Sequence, residues 1–135
     1  MDITEALIAH LLDQPGLTAI VGSVITREYV SERDSLPYVM LGKRGQVELA
    51  QAMDGSGGVT QYQIDIEARA KSFFDAQAMV DIIRQTIHGF TRGTWGSLEI
   101  ASCWVDDVSD DYEALVETDG QLAISAITCR VTTDG

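Results

Sequence analysis

Residues Val105 to Gly120, VDDVSDDYEALVETDG, hold seven carboxylates and no basic side chain. Oxygen ligands at this density raise two chemistries, calcium binding and acid/base catalysis by paired carboxyls. A calcium loop of the EF-hand kind spans twelve positions, needs glycine at the sixth and a bidentate glutamate at the twelfth. Counting from Asp106 puts Asp110 fifth and Glu117 twelfth, yet Val108 then occupies a ligand position and Asp111 the glycine position. Counting from Asp107 makes Ser109 and Asp111 usable but leaves Tyr112 for the glycine and Thr118 for the glutamate. The flanks, LEIASCWV and QLAISAITCRV, read as strands rather than the helices that such a loop joins. Acid/base work requires an environment that pushes one carboxyl pKa upward, and nothing apolar surrounds these acids. The stretch is expected to be a solvated acidic connection between two strands.

Other starting points for chemistry are sparse. GKRG at 42–45 lacks the spacing of a phosphate loop, and GSGG at 55–58 runs into a strand, whereas phosphate cradles open onto a helix N-terminus. His10 lies inside a helix and His88 near a helix C-terminus, where a cationic side chain interacts favourably with the dipole, so both are given structural roles. No serine or cysteine has a spacing that suggests a partnered nucleophile. Cys103 and Cys129 fit reduced, buried thiols, since a zinc site usually takes four ligands at close spacings. If their segments form a hairpin centred near Glu113, Cys103 faces Ala123 and Cys129 faces Ser97, which keeps the sulfurs apart. No catalytic residue, metal site or cofactor is expected.

Composition narrows the function classes further. A chain of 135 residues, 45% hydrophobic and 22% charged, is expected to form one globular domain, with boundaries at 1–135. A formal charge of −12 argues against a general nucleic-acid binder, whose affinity comes from Lys and Arg displacing phosphate counterions. After Arg92 the only basic residue is Arg130, so the C-terminal third supplies much of the negative field. No apolar run approaches the length of a membrane span, and the start MDITEALIAH lacks the basic residues of a signal peptide. A cytosolic site of synthesis is expected.

The elements that would position these residues follow from periodicity. Residues 2–13 predict a helix, with Asp2 as N-cap, Ile3, Leu7 and Leu11 at helical spacing, and Pro15-Gly16 as its stop. Val24–Val30 and Pro37–Gly42 predict strands. In Thr60–Ala70, Tyr62, Ile64, Ile66, Ala68 and Ala70 alternate with Gln61, Gln63, Asp65, Glu67 and Arg69, the pattern of a strand with one wet face. Ser72 caps a helix whose stripe is Ala76, Met79, Val80, Ile83 and Ile87, ending at Gly89. Strands at about 97–105 and 121–132 complete the order α-β-β-β-α-β-β. The expected fold is α+β, a mostly antiparallel sheet of about five strands with two helices on one face.

Two features point outward from a lone subunit. The last strand is apolar on both sides, Leu122, Ile124 and Ala126 against Ala123, Ile127, Cys129 and Val131, which suits a central position or cover by another subunit. Residues 43–58, KRGQVELAQAMDGSGG, are too long for an ordinary hairpin loop and too apolar for a plain linker. They fit either a long flexible loop that orders on a partner or an extended hairpin folded on its own sheet. Lys43, Arg44, Leu49 and Met53 within it, with Trp95 and Tyr112, are the candidate residues for an oligomer or partner interface. Trp95 and Tyr112 fit plain core or loop positions equally well.

LLDQPGLTAIVG at the end of the first helix, the strand PYVMLG and the run QYQIDIEARAKSFFDAQAMVDIIRQTI together resemble the tail-completion or tail-terminator family of long-tailed bacteriophages, prophages and gene-transfer particles. The resemblance spans nearly the whole chain and carries no catalytic motif. It implies a virion assembly protein that forms a hexameric ring on the head-proximal end of the tail tube. There it would stop tube polymerisation and offer a surface to the head-tail connector protein, with DNA passing through the ring without specific binding. It also implies a location in the host cytoplasm during assembly and then in the virion, with no membrane contact. Another neck component, such as a head-completion or adaptor protein, and a small cytosolic α+β regulatory or ligand-binding domain remain the alternatives.

Overall fold

At the N-terminus the Asp2 carboxylate accepts hydrogen bonds from the Thr4 backbone N–H at 3.2 Å and from the Thr4 hydroxyl, which fixes the first turn of α1 (Ile3–Leu12). These bonds hold the Asp2 carboxyl below its ordinary value, against a smaller opposing effect of burial. Ile3, Ala6, Leu7 and Leu11 form the buried stripe of α1. In this computed structural model, residues 2–21, 25–26, 37–51, 58–114 and 121–134 are described. Pro15-Gly16 does end α1, but Pro15 also opens a second helix, α2 (Pro15–Val21), which the sequence reading omits. Proline is at home in the first helical position, where its missing N–H would have no partner in any case. Leu17 of α2 is fully buried in the core.

The sheet has the order β1-β2-β3-β6-β5-β4, in which β2 (Tyr38–Gln51), β3 (Gly58–Ala70), β6 (Gln121–Asp134), β5 (Leu98–Ala114) and β4 (Phe90–Trp95) are antiparallel neighbours. The two-residue β1 (Ile25–Thr26) adds parallel to β2 at Val39 and Met40. Of the strand expected at 24–30, residues 24 and 27–30 lie outside the described residues. β6 is central, between β3 and β5, as its apolar residues on both sides require. Helix α3 (Phe73–Ile87) starts at the Ser72 cap and buries Ala76, Met79, Val80, Ile83 and Ile87, the whole expected stripe. The helices pack on one face of the sheet, over Ile64, Ile66, Ala68 and Ala70 of β3 and Ile127, Cys129 and Val131 of β6. Each large apolar side chain removed from water there contributes about 1.5–3 kcal/mol.

Three expectations are corrected by the strand boundaries. First, residues 43–51 are not a flexible loop: β2 continues to Gln51 and pairs with β3 as far as Gly58, so an extended hairpin forms. Register shifts at Lys43/Gly45 and Glu48/Ala50 absorb extra residues as β-bulges, which keep the backbone hydrogen-bonded while the strand twists. Second, β4 was not foreseen, although Trp95-Gly96-Ser97-Leu98 is a two-residue hairpin with Gly96 at φ +58°. Third, β5 does not stop at Val105. It runs through the acidic stretch to Ala114, which pairs with Gln121, so residues 105–114 form a strand rather than a connection.

The longer β5 also changes the register around the cysteines. Cys103 lies opposite Val131 and Cys129 opposite Val105, which places both thiols on the buried face as diagonal neighbours. The expectation of well-separated sulfurs is therefore wrong, while that of free, buried thiols holds. A hydrogen bond with Cys129, and burial, push the Cys103 thiol well above the ordinary range.

Candidate assembly surfaces

The acidic strand is tied down by its own carboxylates. Asp110 accepts from the buried Ser125 hydroxyl at 2.7 Å and from Gln77 Nε2 of α3 at 3.0 Å, linking β5 to β6 and to the helix layer. A register shift between Val105 and Asp107 sets Asp106 against Arg130, whose Nε donates to both carboxylate oxygens at 2.9 Å. The single cation that follows Arg92 is thus occupied by one carboxylate, and Asp107 stands exposed beside it. Among the described residues no group of three or more His, Cys, Asp or Glu is placed to hold a metal ion.

At Val105 the strand edge changes character. β4 pairs with β5 only as far as Cys103, and His88 takes over one residue pair further on, its Nδ1 accepting the Val105 N–H at 3.0 Å. His88 thus has a structural role, as expected, accepting a backbone hydrogen bond from β5. His10 is the other structural histidine: it stacks on Trp95 with ring centroids 4.9 Å apart and meets Phe90 edge-on at 5.5 Å. Burial pushes its pKa below the ordinary imidazole value, partly countered by Asp13.

The candidate interface residues divide. Lys43 and Arg44 are exposed on β2, Lys43 donating to Gln46 Oε1 at 3.3 Å and Arg44 lying 3.6 Å from Asp65. Trp95 has 0% exposure and fills the core beside His10 and Phe90, so it is not available to a partner. Leu49 and Tyr112 are placed by the backbone in β2 and β5, and Met53 lies outside the described residues. Arg69, expected on the wet face, is buried beside Tyr38 and ion-pairs with Glu67 at 2.7 Å. Burial opposes its charge, but the bonds to Glu67 and Tyr38 outweigh that and hold its pKa up.

Exposed apolar side chains were not singled out from the sequence. Phe74 is 82% exposed, Trp104 45% and Val108 44%. The signal for the first two was present. Phe73 continues the α3 stripe, so its neighbour Phe74 must point away, and Trp104 alternates with Cys103 and Val105 and must face the other side of the sheet.

In fold, the chain matches a chain of a solved structure described as the virion of a native gene transfer agent (GTA) particle. That match has a TM-score of 0.70 at 16% identity, covering 98% of this chain and 95% of the other. No curated protein matches the sequence. The profile of the tail completion protein gp17 family matches residues 5–133, and the chain belongs to that family. It is accordingly a structural protein of the phage tail. Among the described residues no helix is long and apolar enough to cross a membrane.

Proposed function

We propose that the protein is a tail terminator: the whole chain acts as one unit that assembles as a hexameric ring on the head-proximal end of the tail tube. The ring matches the last tube ring on one side, lacks tube-like contacts on the other and so ends growth. Its far side presents a surface to the head-tail connector protein. The family match across residues 5–133 is the observation that carries this proposal. The charge of −12 supports it as well, because an acidic ring repels the DNA that must pass through it. In the C-terminal third the exposed Asp107 adds to that field, since Arg130 already serves Asp106.

Native mass spectrometry of the chain, alone and mixed with tail-tube protein, tests the proposal. Rings, either free or only on the tube, are the expected species. A chain that stays monomeric and ignores the tube protein would sink it, and a chain that binds the connector but not the tube would instead be another neck component.

A further inference from the structure

Among the described residues, β5 and β2 each leave a stretch of open edge, of similar length. Beyond Cys103 no described strand pairs with β5 on its outer side, so the backbone from Asp106 to Ala114 has ladder partners on the β6 side only. On the opposite margin, β1 reaches only Val39 and Met40, and among the described residues none pairs with β2 from Lys43 to Gln51 on that side. Unpaired edges of this kind are templates for strand addition.

Their charges differ in sign. The β5 edge carries Asp106, Asp107, Asp110, Asp111 and Glu113, whereas the β2 edge carries Lys43 and Arg44 against the single acid Glu48. Pairing two β5 edges about a two-fold axis would set carboxylates directly against carboxylates, which is destabilising for cross-strand neighbours. Pairing β5 with β2 brings opposite charges together. The directions also agree: β2, β3, β6 and β5 are successively antiparallel, so β5 of one copy meets β2 of the next in antiparallel sense when a rotation relates the copies.

We infer that neighbouring copies of this chain join by adding the β5 edge 106–114 of one to the β2 edge 43–51 of the next, an inference that rests on the ring proposed above. The contact is heterologous, and repeated contacts of that kind close into rings when the rotation allows. Measured on β6, the middle of the β2 edge falls at the level of Thr132 and the middle of the β5 edge at Ser125. An offset of seven residues is about 23 Å at ~3.3 Å per residue, so the strands must be inclined to the ring axis for the edges to meet, as strands are in closed sheets.

The chain's lysines supply the test. Only Lys43 and Lys71 are present, and within one copy Lys43 is separated from β5 by β3 and β6, about 14 Å across the sheet. A zero-length carbodiimide cross-link between Lys43 and a carboxylate of 106–113 therefore reports on two copies. Rings formed from mixed light and isotopically heavy chains, on tail-tube protein if they require it, are cross-linked, digested and sequenced by mass spectrometry. Light–heavy peptides joining Lys43 to 106–113 are expected, and Arg44→Glu is expected to raise the half-assembly concentration at least tenfold with the monomer still folded by circular dichroism. Rings that form without such cross-links overturn this contact and leave the ring standing. Absence of any self-association, even on the tube, overturns the ring and the contact with it.

Discussion

Replacing Trp95 and Trp104 separately should separate the core from the surface. Trp95 is completely buried and touches His10 and Phe90, so Trp95→Ala removes a large side chain from a packed layer, a change that costs about 3–5 kcal/mol. For 135 residues the unfolding entropy is about 0.28 kcal/mol/K, which converts that loss into a drop in Tm of roughly 10–18 °C. Trp104 is 45% exposed and meets His88 edge-on at 5.3 Å, so Trp104→Ala forfeits about half a side chain's burial and one ring contact, about 1–3 kcal/mol or roughly 4–11 °C. Thermal unfolding followed by far-ultraviolet circular dichroism measures both. The chain has two tryptophans, so each variant also reports on the other by fluorescence: buried, blue-shifted emission from Trp95 in Trp104→Ala, and red-shifted emission from Trp104 in Trp95→Ala. An equal or larger loss at Trp104, or solvent-exposed emission from Trp95, would refute the placement of β4 against α1.

Three further outcomes are expected. Because burial depresses the His10 pKa, the unfolded chain binds a proton that the folded chain refuses once pH falls below about 6.5. Stability should therefore drop between pH 6.5 and the folded-state value, by at most about 1.4 kcal/mol per pH unit, and urea titrations of His10→Phe should show a flatter profile across that window. Asp110→Ala strands the Ser125 hydroxyl without its acceptor and should cost about 1–3 kcal/mol in urea unfolding, with Asp110→Asn milder. The raised Cys103 pKa and its burial predict no iodoacetamide labelling of that residue in the native protein at pH 8 and full labelling in denaturant, readable by mass spectrometry.

Much of the fold was legible because α3 and β3 carry strong periodic patterns: every residue of the α3 stripe is buried, and Ile64, Ile66, Ala68 and Ala70 share the helix-covered face of β3. What was missed lies where local signals compete with tertiary pairing. Aspartates are poor strand formers, so the run 105–114 reads as a turn, yet β6 offers a continuous ladder that overrides propensity. Placing the turn there moved the expected hairpin centre too early and separated two cysteines that the true register makes neighbours. β4 was hidden by Arg92 at φ +50° and by Gly93, whose missing side chain leaves room for the Phe90 ring: a Cβ would meet Phe90 Cζ at 2.5 Å. Of the candidate interface residues, Lys43 and Arg44 were legible as exposed cations, whereas Trp95 was misplaced because an aromatic residue near a glycine turn looks the same in sequence whether it anchors a partner or a core.

The terminator role meets its most direct test in tube growth. Fluorescent tail-tube protein is polymerised from seeds while lengths are followed by microscopy, and this protein is added far below the tube-subunit concentration. Growth should stop at one end, and negative-stain images should show a ring seated there. Tubes that lengthen at the unperturbed rate with both ends bare would contradict it.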